Sequence, residues 1–104
     1  MSNEYNLKYE IKNDFIKIEL SGEVDIYNTQ KFKEEFYNII DDNIIDIKID
    51  CTNLDYIDST GLGVLVGVLK IVKKNKKEIY IYNLKENIKK LFTITGLEKL
   101  FIIE

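Results

Sequence analysis

The stretch NLDYIDSTGLGVLVGVLK, residues 53–70, decides the fold of this chain and holds its most informative side chains. An acid, Asp58, precedes the hydroxyl pair Ser59 and Thr60, and the apolar run that follows carries glycines in the pattern G-x-G-x-x-x-G. Lysines end the run, and cations suit the negative end of a helix dipole. We therefore predict a helix that begins near Ser59 or Thr60 and runs through Val72. Glycines at such a helix start can leave room for the phosphate of a bound ligand, whereas a serine there can carry a phosphate itself.

Alternation of apolar and polar residues predicts strands on both sides of this helix. The pattern is clear in residues 5–11, 16–20, 44–51 and 79–82, and a weaker strand, LFIIE, ends the chain. The short connection KND separates the first two strands. These two strands should therefore form an antiparallel hairpin.

Helical spacing fills two of the remaining gaps. Phe and Ile recur at i, i+4, i+7 and i+8 within residues 32–40. This spacing predicts an amphipathic helix capped by Asn28 or Thr29. Residues 85–94 predict a short third helix that stops at Gly96, since glycine is favoured just beyond a helix C-terminus.

The order of these elements predicts the fold class. Strands that alternate with helices imply parallel crossover connections. We therefore predict an α/β fold: a single domain over residues 1–104 with a mixed sheet of about five strands, in which the N-terminal hairpin is antiparallel and the later strands are parallel. Parallel strands covered on both faces read as continuous apolar runs, but the third strand alternates strictly. We expect the helices mainly on one face and a polar opposite face that carries Tyr80 and Tyr82.

The composition excludes several kinds of chemistry. The 104 residues include no His and no Arg, 15 Lys and one Cys, and the formal net charge is -3. Without His there is no Ser-His-Asp triad and no usual zinc ligand set, and without Arg there is no bidentate clamp for a phosphate. We expect no enzymatic activity, no catalytic residue, no bound metal and no cofactor.

The same features predict the compartment. A net negative charge gives no overall footprint for nucleic acid. The N-terminus has no apolar leader, and the longest apolar run, GLGVLVGVL, is too short to span a bilayer. A lone Cys cannot form an intramolecular disulfide, which fits a reducing compartment. We expect a cytoplasmic protein that contacts neither nucleic acid directly nor a membrane.

The glycines fit a nucleotide site poorly. A dinucleotide site requires G-x-G-x-x-G in a tight turn after a strand. Here the spacing differs, the linker TNLDYIDST is too long for such a turn, and no P-loop motif is present. Two structural explanations stay open: Ser59 as a helix N-cap, and glycines as small residues that let the helix approach the sheet. A functional one is that a bare helix start keeps a hydroxyl accessible, with exposed N–H groups to stabilise a phosphoryl group.

The segment IDCTNLDYIDSTGLGVLVGVLK resembles the signature of the bacterial anti-sigma factor antagonists, which are STAS-domain proteins. Two further segments match the family. LSGEVDIYNT, residues 20–29, resembles its stretch before the first helix, and IKKLFTITGLEKLFII, residues 88–103, resembles its C-terminal helix and last strand. The similarity covers nearly the whole chain.

This resemblance implies that Ser59 is phosphorylated by a partner, an anti-sigma factor with serine kinase activity. The unphosphorylated protein would bind that factor and release a sigma factor for transcription. Phosphorylation would switch binding off, and a serine phosphatase would reset the protein. The residues around the serine or in the partner interface would be Asp25, Asp58, Thr60, Gly61, Leu62 and Gly63.

Two other functions stay open. The chain also resembles, through the same loop, the STAS modules of other signalling scaffolds and of transporter-associated regulators. A small ligand-binding or enzymatic domain that uses the glycine loop is a further alternative. The glycine spacing and the absence of His and Arg argue against that alternative.

Overall fold

A mixed six-stranded sheet with three helices forms the fold in the computed structural model, which describes residues 4–104. The strands are β1 (Tyr5–Ile11), β2 (Phe15–Val24), β3 (Asp46–Asp50), β4 (Leu54–Ile57), β5 (Ile79–Tyr82) and β6 (Ile102–Ile103). The helices are α1 (Thr29–Ile40), α2 (Ser59–Lys73) and α3 (Glu86–Ile94), and a short 3₁₀ helix spans Leu97–Lys99.

The sheet has the strand order β1-β2-β3-β5-β6, with β4 paired to β2. β1 and β2 are antiparallel, and the pairs β2–β3, β2–β4, β3–β5 and β5–β6 are parallel. The predicted α/β class, the N-terminal hairpin and the parallel later strands are therefore confirmed.

Strand β4 was missed by the sequence prediction, which treated the linker after β3 as a loop and counted about five strands. The four residues of β4 run buried, exposed, exposed, buried, so they lack the period-2 pattern by which strands are recognised. β4 can join the sheet because the long strand β2 pairs with different strands at its two ends. Residues Phe15 to Glu19 pair with β3, and Gly22 to Val24 pair with β4, with a register shift between Gly22 and Glu23.

The hydrophobic core lies between the sheet and the helices. The inward side chains of β2, β3 and β5 alternate with polar or aromatic ones on the other face, where Tyr80 and Tyr82 are half-buried. Lys48 on that face lies 4.2 Å from the centre of the Phe15 ring. The predicted one-sided packing of the helices is confirmed by a single core cluster whose fully buried members include Ile16, Ile18, Ile47, Ile49, Ile79, Ile81, Phe32, Phe36, Val68 and Phe92.

The helices begin and end close to their predicted limits. α1 buries its Phe and Ile stripe, although the cap residue Asn28 makes no side-chain capping bond. α3 begins at Glu86, and Gly96 follows it with φ +77°, the left-handed conformation expected of a glycine beyond a helix end. Among residues 4–104, no helix is both long and apolar enough to cross a membrane.

Gly22 is the glycine on which the two-part strand depends. Its φ is +85°, and a Cβ at this position would strike the carbonyl oxygen of Glu4 beside β1. Its N–H donates to the carbonyl oxygen of Asn53 at 2.9 Å, directly before β4. Gly22 therefore lets β2 contact both β1 and the segment that leads into β4.

We expect Gly22→Ala to lower the free energy of unfolding by about 3 kcal/mol, because it adds a backbone clash to the cost of a positive φ. The matched control is Gly96→Ala, which has a similar φ but no atom within 4 Å of the added Cβ. That variant should lose about 1 kcal/mol. Urea denaturation measures both, and equal losses would contradict the role given to the Glu4 contact.

Candidate functional site

Ser59 is the first residue of α2, and it is exposed. The helix N-cap is Asp58, whose carboxylate accepts hydrogen bonds from the N–H groups of Thr60 at 2.9 Å and Gly61 at 3.2 Å. The structural explanation of Ser59 as an N-cap is therefore wrong. Since Asp58 performs the capping, the Ser59 hydroxyl is not required for that role.

The Asp58 carboxylate also accepts a hydrogen bond from the hydroxyl of Thr60, and the Asp58 N–H donates to the Val24 oxygen at 3.2 Å. The carboxylate lies near the backbone N–H of Ile26 in the loop between β2 and α1. Partial burial acts to raise the pKa of Asp58, but the bonds from Thr60 and Gly61 and the nearby Ile26 N–H outweigh it and lower the pKa below its ordinary value. Asp58 is thus a fixed negative charge at the start of α2.

Asp25 organises the second of these loops, and it is the one buried charged residue within residues 4–104. Its carboxylate accepts hydrogen bonds from the N–H groups of Tyr27 at 2.9 Å and Asn28 at 3.2 Å. The Asn28 side chain returns a bond, since its amide oxygen accepts from the Asp25 N–H at 2.9 Å. This arrangement turns the chain sharply between β2 and α1.

The turn exposes two large side chains that the sequence analysis did not single out. Ile26 is 65% exposed and Tyr27 is 80% exposed, and both precede α1 in the loop that lies beside Asp58. A signal was available, because DIYN interrupts both the strand period and the helix period and so leaves two apolar side chains without a core position. Exposed apolar side chains beside a fixed polar site are typical of partner surfaces.

The three glycines of α2 have different surroundings. A Cβ on Gly61 would lie 2.7 Å from Ile57 and 2.8 Å from Val24, and one on Gly67 would meet the hydroxyl of Tyr37 on α1. A Cβ on Gly63 would meet nothing within 4 Å. Close approach of the helix to the sheet therefore explains Gly61. Gly67 instead faces Tyr37 of α1, and Gly63 keeps the exposed side of the helix start bare.

The predicted interface residues also divide into exposed and buried positions. Ser59 and Gly63 are exposed, and Asp58 and Thr60 are half-buried. Leu62 is 4% exposed, and Gly61 is also buried, so neither offers surface in this conformation. A groove between α1 and α2 runs beside the site and is lined by Thr29, Gln30, Lys33, Tyr37, Thr60, Gly63 and Val64.

The site offers little to a metal or to covalent chemistry. In the part of the chain that the structure describes, no group of three or more Cys, Asp or Glu side chains is placed to hold a metal ion. Cys51 is 3% exposed, and burial together with the neighbouring Asp50 charge raises the pKa of its thiol to about 12. A thiol with so high a pKa is a poor nucleophile.

Comparison with known proteins identifies the fold and its family. The family model described as the STAS domain matches residues 6–104. An anti-sigma-B factor antagonist of Staphylococcus aureus (strain NCTC 8325 / PS 47) is 37% identical over 95 residues, which are 91% of this chain and 88% of that protein. The chain therefore belongs to the STAS domain family.

Solved structures show the same fold. An anti-sigma factor antagonist from Mycobacterium paratuberculosis has a TM-score of 0.84 at 18% identity, over 96% of this chain and 85% of that one. The Bacillus cell fate determinant SpoIIAA in its phosphorylated form has a TM-score of 0.73 at 19% identity, over 95% of this chain and 91% of that one. The fold of this chain is thus shared by a protein known in a phosphorylated form.

We expect Asp58→Ala to cost about 1 kcal/mol of stability near neutral pH, because the helix loses its N-cap. The pKa of folded Asp58 lies below 3.8, so its charge stabilises the fold above about pH 4 and stops doing so as the pH falls through the lowered value. The difference from the wild-type chain should therefore narrow in acid. Urea titrations at several pH values measure it, and a constant difference would contradict the contribution of the charge.

Gly61→Ala and Gly63→Ala form a matched pair on one helix turn. We expect Gly61→Ala to lose about 1–2 kcal/mol, because the added Cβ crowds Ile57 and Val24. Gly63→Ala should gain up to about 1 kcal/mol, since alanine is the better helix former and has open space. Chemical denaturation measures both, and a loss of stability in Gly63→Ala would show an unrecognised steric role.

Proposed function

We propose that this chain is an anti-sigma factor antagonist whose binding is switched off by phosphorylation of Ser59. The observation that carries the proposal is an exposed serine hydroxyl at the start of α2, beside a carboxylate that already caps the helix. The similarity to an anti-sigma-B factor antagonist over 91% of the chain supports the type of partner.

The structure favours Ser59 over its neighbour as the acceptor. Thr60 is half-buried, and its hydroxyl donates to the Asp58 carboxylate. A kinase that modified Thr60 would first have to break this bond. Ser59 is exposed and supports no cap, so a kinase can reach it while the domain stays folded.

The unmodified site suits a protein partner. Ile26 and Tyr27 supply exposed apolar area, and the bare position at Gly63 allows a partner backbone to approach the helix start. Tyrosine is enriched among residues that contribute most to interfaces. The Asp58 bonds to Gly61 and to the Val24 oxygen hold the helix start and the end of β2 in one arrangement, which lowers the entropy lost on binding.

Phosphorylation would change the charge of this surface. A phosphoserine carries about -1.5 to -2 charges near neutral pH. The expectation that exposed N–H groups would stabilise it needs correction, because the Thr60 and Gly61 N–H groups already bind Asp58. The phosphate would instead adjoin an ionised carboxylate, so like charges would concentrate where the partner binds. A partner that holds ATP brings further negative charge, which would weaken the complex.

The chain would act in this cycle as a substrate and a binding protein. The partner would be an anti-sigma factor with serine kinase activity, and a serine phosphatase would restore the hydroxyl. No catalytic group of the chain is needed for either step, and no contact with nucleic acid is part of the proposal. Release of the sigma factor would follow from competition for the anti-sigma factor.

Incubation with the kinase and ATP should add one phosphate, at Ser59. Ser59→Ala should still bind the anti-sigma factor and escape inactivation, whereas Ser59→Asp should bind at least about tenfold more weakly, because it places a second charge beside Asp58. Thr60→Ala is the control and should still accept phosphate. Peptide mapping by mass spectrometry and titration calorimetry measure these outcomes. Phosphate on Thr60, or no phosphate, would contradict the proposal.

A further inference from the structure

Strand β1 forms an open edge of the sheet. It spans seven residues, Tyr5–Ile11, and its pairing with β2 continues without a bulge. The strand contains no Pro. Proteins usually protect a sheet edge by shortening it, covering it, interrupting it with Pro or a bulge, or placing charged side chains on it, and of these devices β1 has only the charges of Lys8 and Glu10. The opposite edge, β6, is only two residues long, so β1 is the edge that can accept another strand.

The backbone groups that β1 offers can be identified from its pairing with β2. The Lys12 N–H donates to the Phe15 oxygen, and the Glu23 N–H donates to the Glu4 oxygen, each at 2.9 Å. Hydrogen-bonded pairs alternate along an antiparallel ladder, so even-numbered residues of this strand direct their N–H and C=O groups toward β2. The odd-numbered residues direct theirs outward, away from the sheet.

The odd-numbered side chains leave apolar area on the helix side of this edge. Tyr5 and Leu7 pack against the core, and the Tyr5 ring lies edge to face with Phe32 of α1. Further along the strand, Tyr9 is 55% exposed and Ile11 is 48% exposed. The edge therefore combines unpaired backbone groups with uncovered apolar side chains.

We propose that β1 pairs with β1 of a second copy of this chain, antiparallel and centred on Tyr9. In this register Tyr9 faces Tyr9, and each Leu7 faces Ile11 of the other copy. These odd-numbered positions become the hydrogen-bonded pairs, which gives about six new backbone bonds. The two sheets then continue as one, and each copy covers the exposed apolar side chains of the other.

Charge complementarity selects this register. Centring on Tyr9 places each Lys8 opposite Glu10 of the other copy, at the closely spaced positions where cross-strand ion pairs interact best. Centring on Lys8 would place Lys8 against Lys8, and centring on Glu10 would place Glu10 against Glu10. Centring on Leu7 would place Glu10 against Glu4. Centring on Lys8 also brings Glu4 opposite Lys12, but both of these residues lie outside β1. Within Tyr5–Ile11, the Tyr9 register alone among these four pairs opposite charges.

The neighbouring strand extends the same pattern. Within one copy, Lys8 faces Glu19 of β2 and Glu10 faces Lys17. In the pair, β2 and β1 of one copy lie beside β1 and β2 of the other. The charged residues in one row across these four strands are then Glu19, Lys8, Glu10 of the second copy and Lys17 of the second copy. The signs alternate at every step, and each opposed pair of unlike charges favours the register.

Self-association through β1 leaves the serine site open. Tyr9 faces Ile18 on β2, and Val24, which adjoins Asp58, lies six residues further along that strand. Six strand residues span about 20 Å. Both copies can therefore present Ser59 to a partner, whether or not Ser59 is phosphorylated.

Two charge variants test the pairing. Lys8→Glu alone and Glu10→Lys alone each turn both ion pairs into like-charge pairs, and each should weaken self-association about tenfold or more. An equimolar mixture should recover it, because the carboxylate introduced in one variant then faces the ammonium group introduced in the other. Sedimentation equilibrium over a wide concentration range measures the association, and circular dichroism checks that each variant folds.

The same measurement contains the results that would overturn the proposal. A wild-type chain that stays monomeric at millimolar concentration would refute it and leave the edge to a strand of another protein. Association unchanged in both single variants would also refute it. Tyr9→Pro provides a second test, since it removes an outward N–H and no bond to β2, and it should abolish association in a chain that remains folded.

Engineered cysteines test the register. In the proposed pair the two Tyr9 Cα atoms lie about 5.5 Å apart, within reach of a disulfide, so Tyr9→Cys should form a covalent dimer under mild oxidation. Ile11→Cys alone is the control and should not, because its two copies lie about 14 Å apart. A mixture of Leu7→Cys and Ile11→Cys should cross-link. Cross-linking of Ile11→Cys alone would overturn the Tyr9 register.

Discussion

The carboxylate of Asp58 is the interaction on which the organisation of this site depends. It caps α2 through the Thr60 and Gly61 N–H groups, and it lies near the Ile26 N–H in the loop that leads into α1. The pairing of β4 with the end of β2 brings these two segments together, and the Asp58 N–H donates to the Val24 oxygen at 3.2 Å. One residue thereby holds the start of α2 against the end of β2. The hydroxyl of the neighbouring Ser59 is therefore not needed to cap the helix.

The sequence predicted the strands and helices whose apolar residues recur with a regular period. Strands and helices with a strong period, such as the alternating strand β3 and the apolar stripe of α1, were located to within a few residues. β4 has four residues and no alternation, so its position depends on the register shift at Gly22 and Glu23, a tertiary feature that local patterns do not encode. The sequence also could not show that Asp58 and not Ser59 is the N-cap, because Asp and Ser both cap helices well.

The glycine motif serves two requirements that the sequence alone could not separate. Gly61 and Gly67 are small because Val24, Ile57 and Tyr37 occupy the adjacent space. Gly63 has open space beside it, so packing does not explain why a poorer helix former stands there. Packing therefore accounts for two glycines of the motif, and the third belongs with the surface around Ser59.

Cys51 has a consequence for how the intact fold can be observed. It is the one thiol in the chain, and burial raises its pKa to about 12. The thiol is therefore protonated at neutral pH, whereas alkylating agents and oxidants react with the thiolate. Alkylation of Cys51 therefore requires the end of β3 to open and expose the thiol. The rate at which the native chain reacts with a thiol reagent therefore reports how often this part of the protein opens, and the measurement needs no added label.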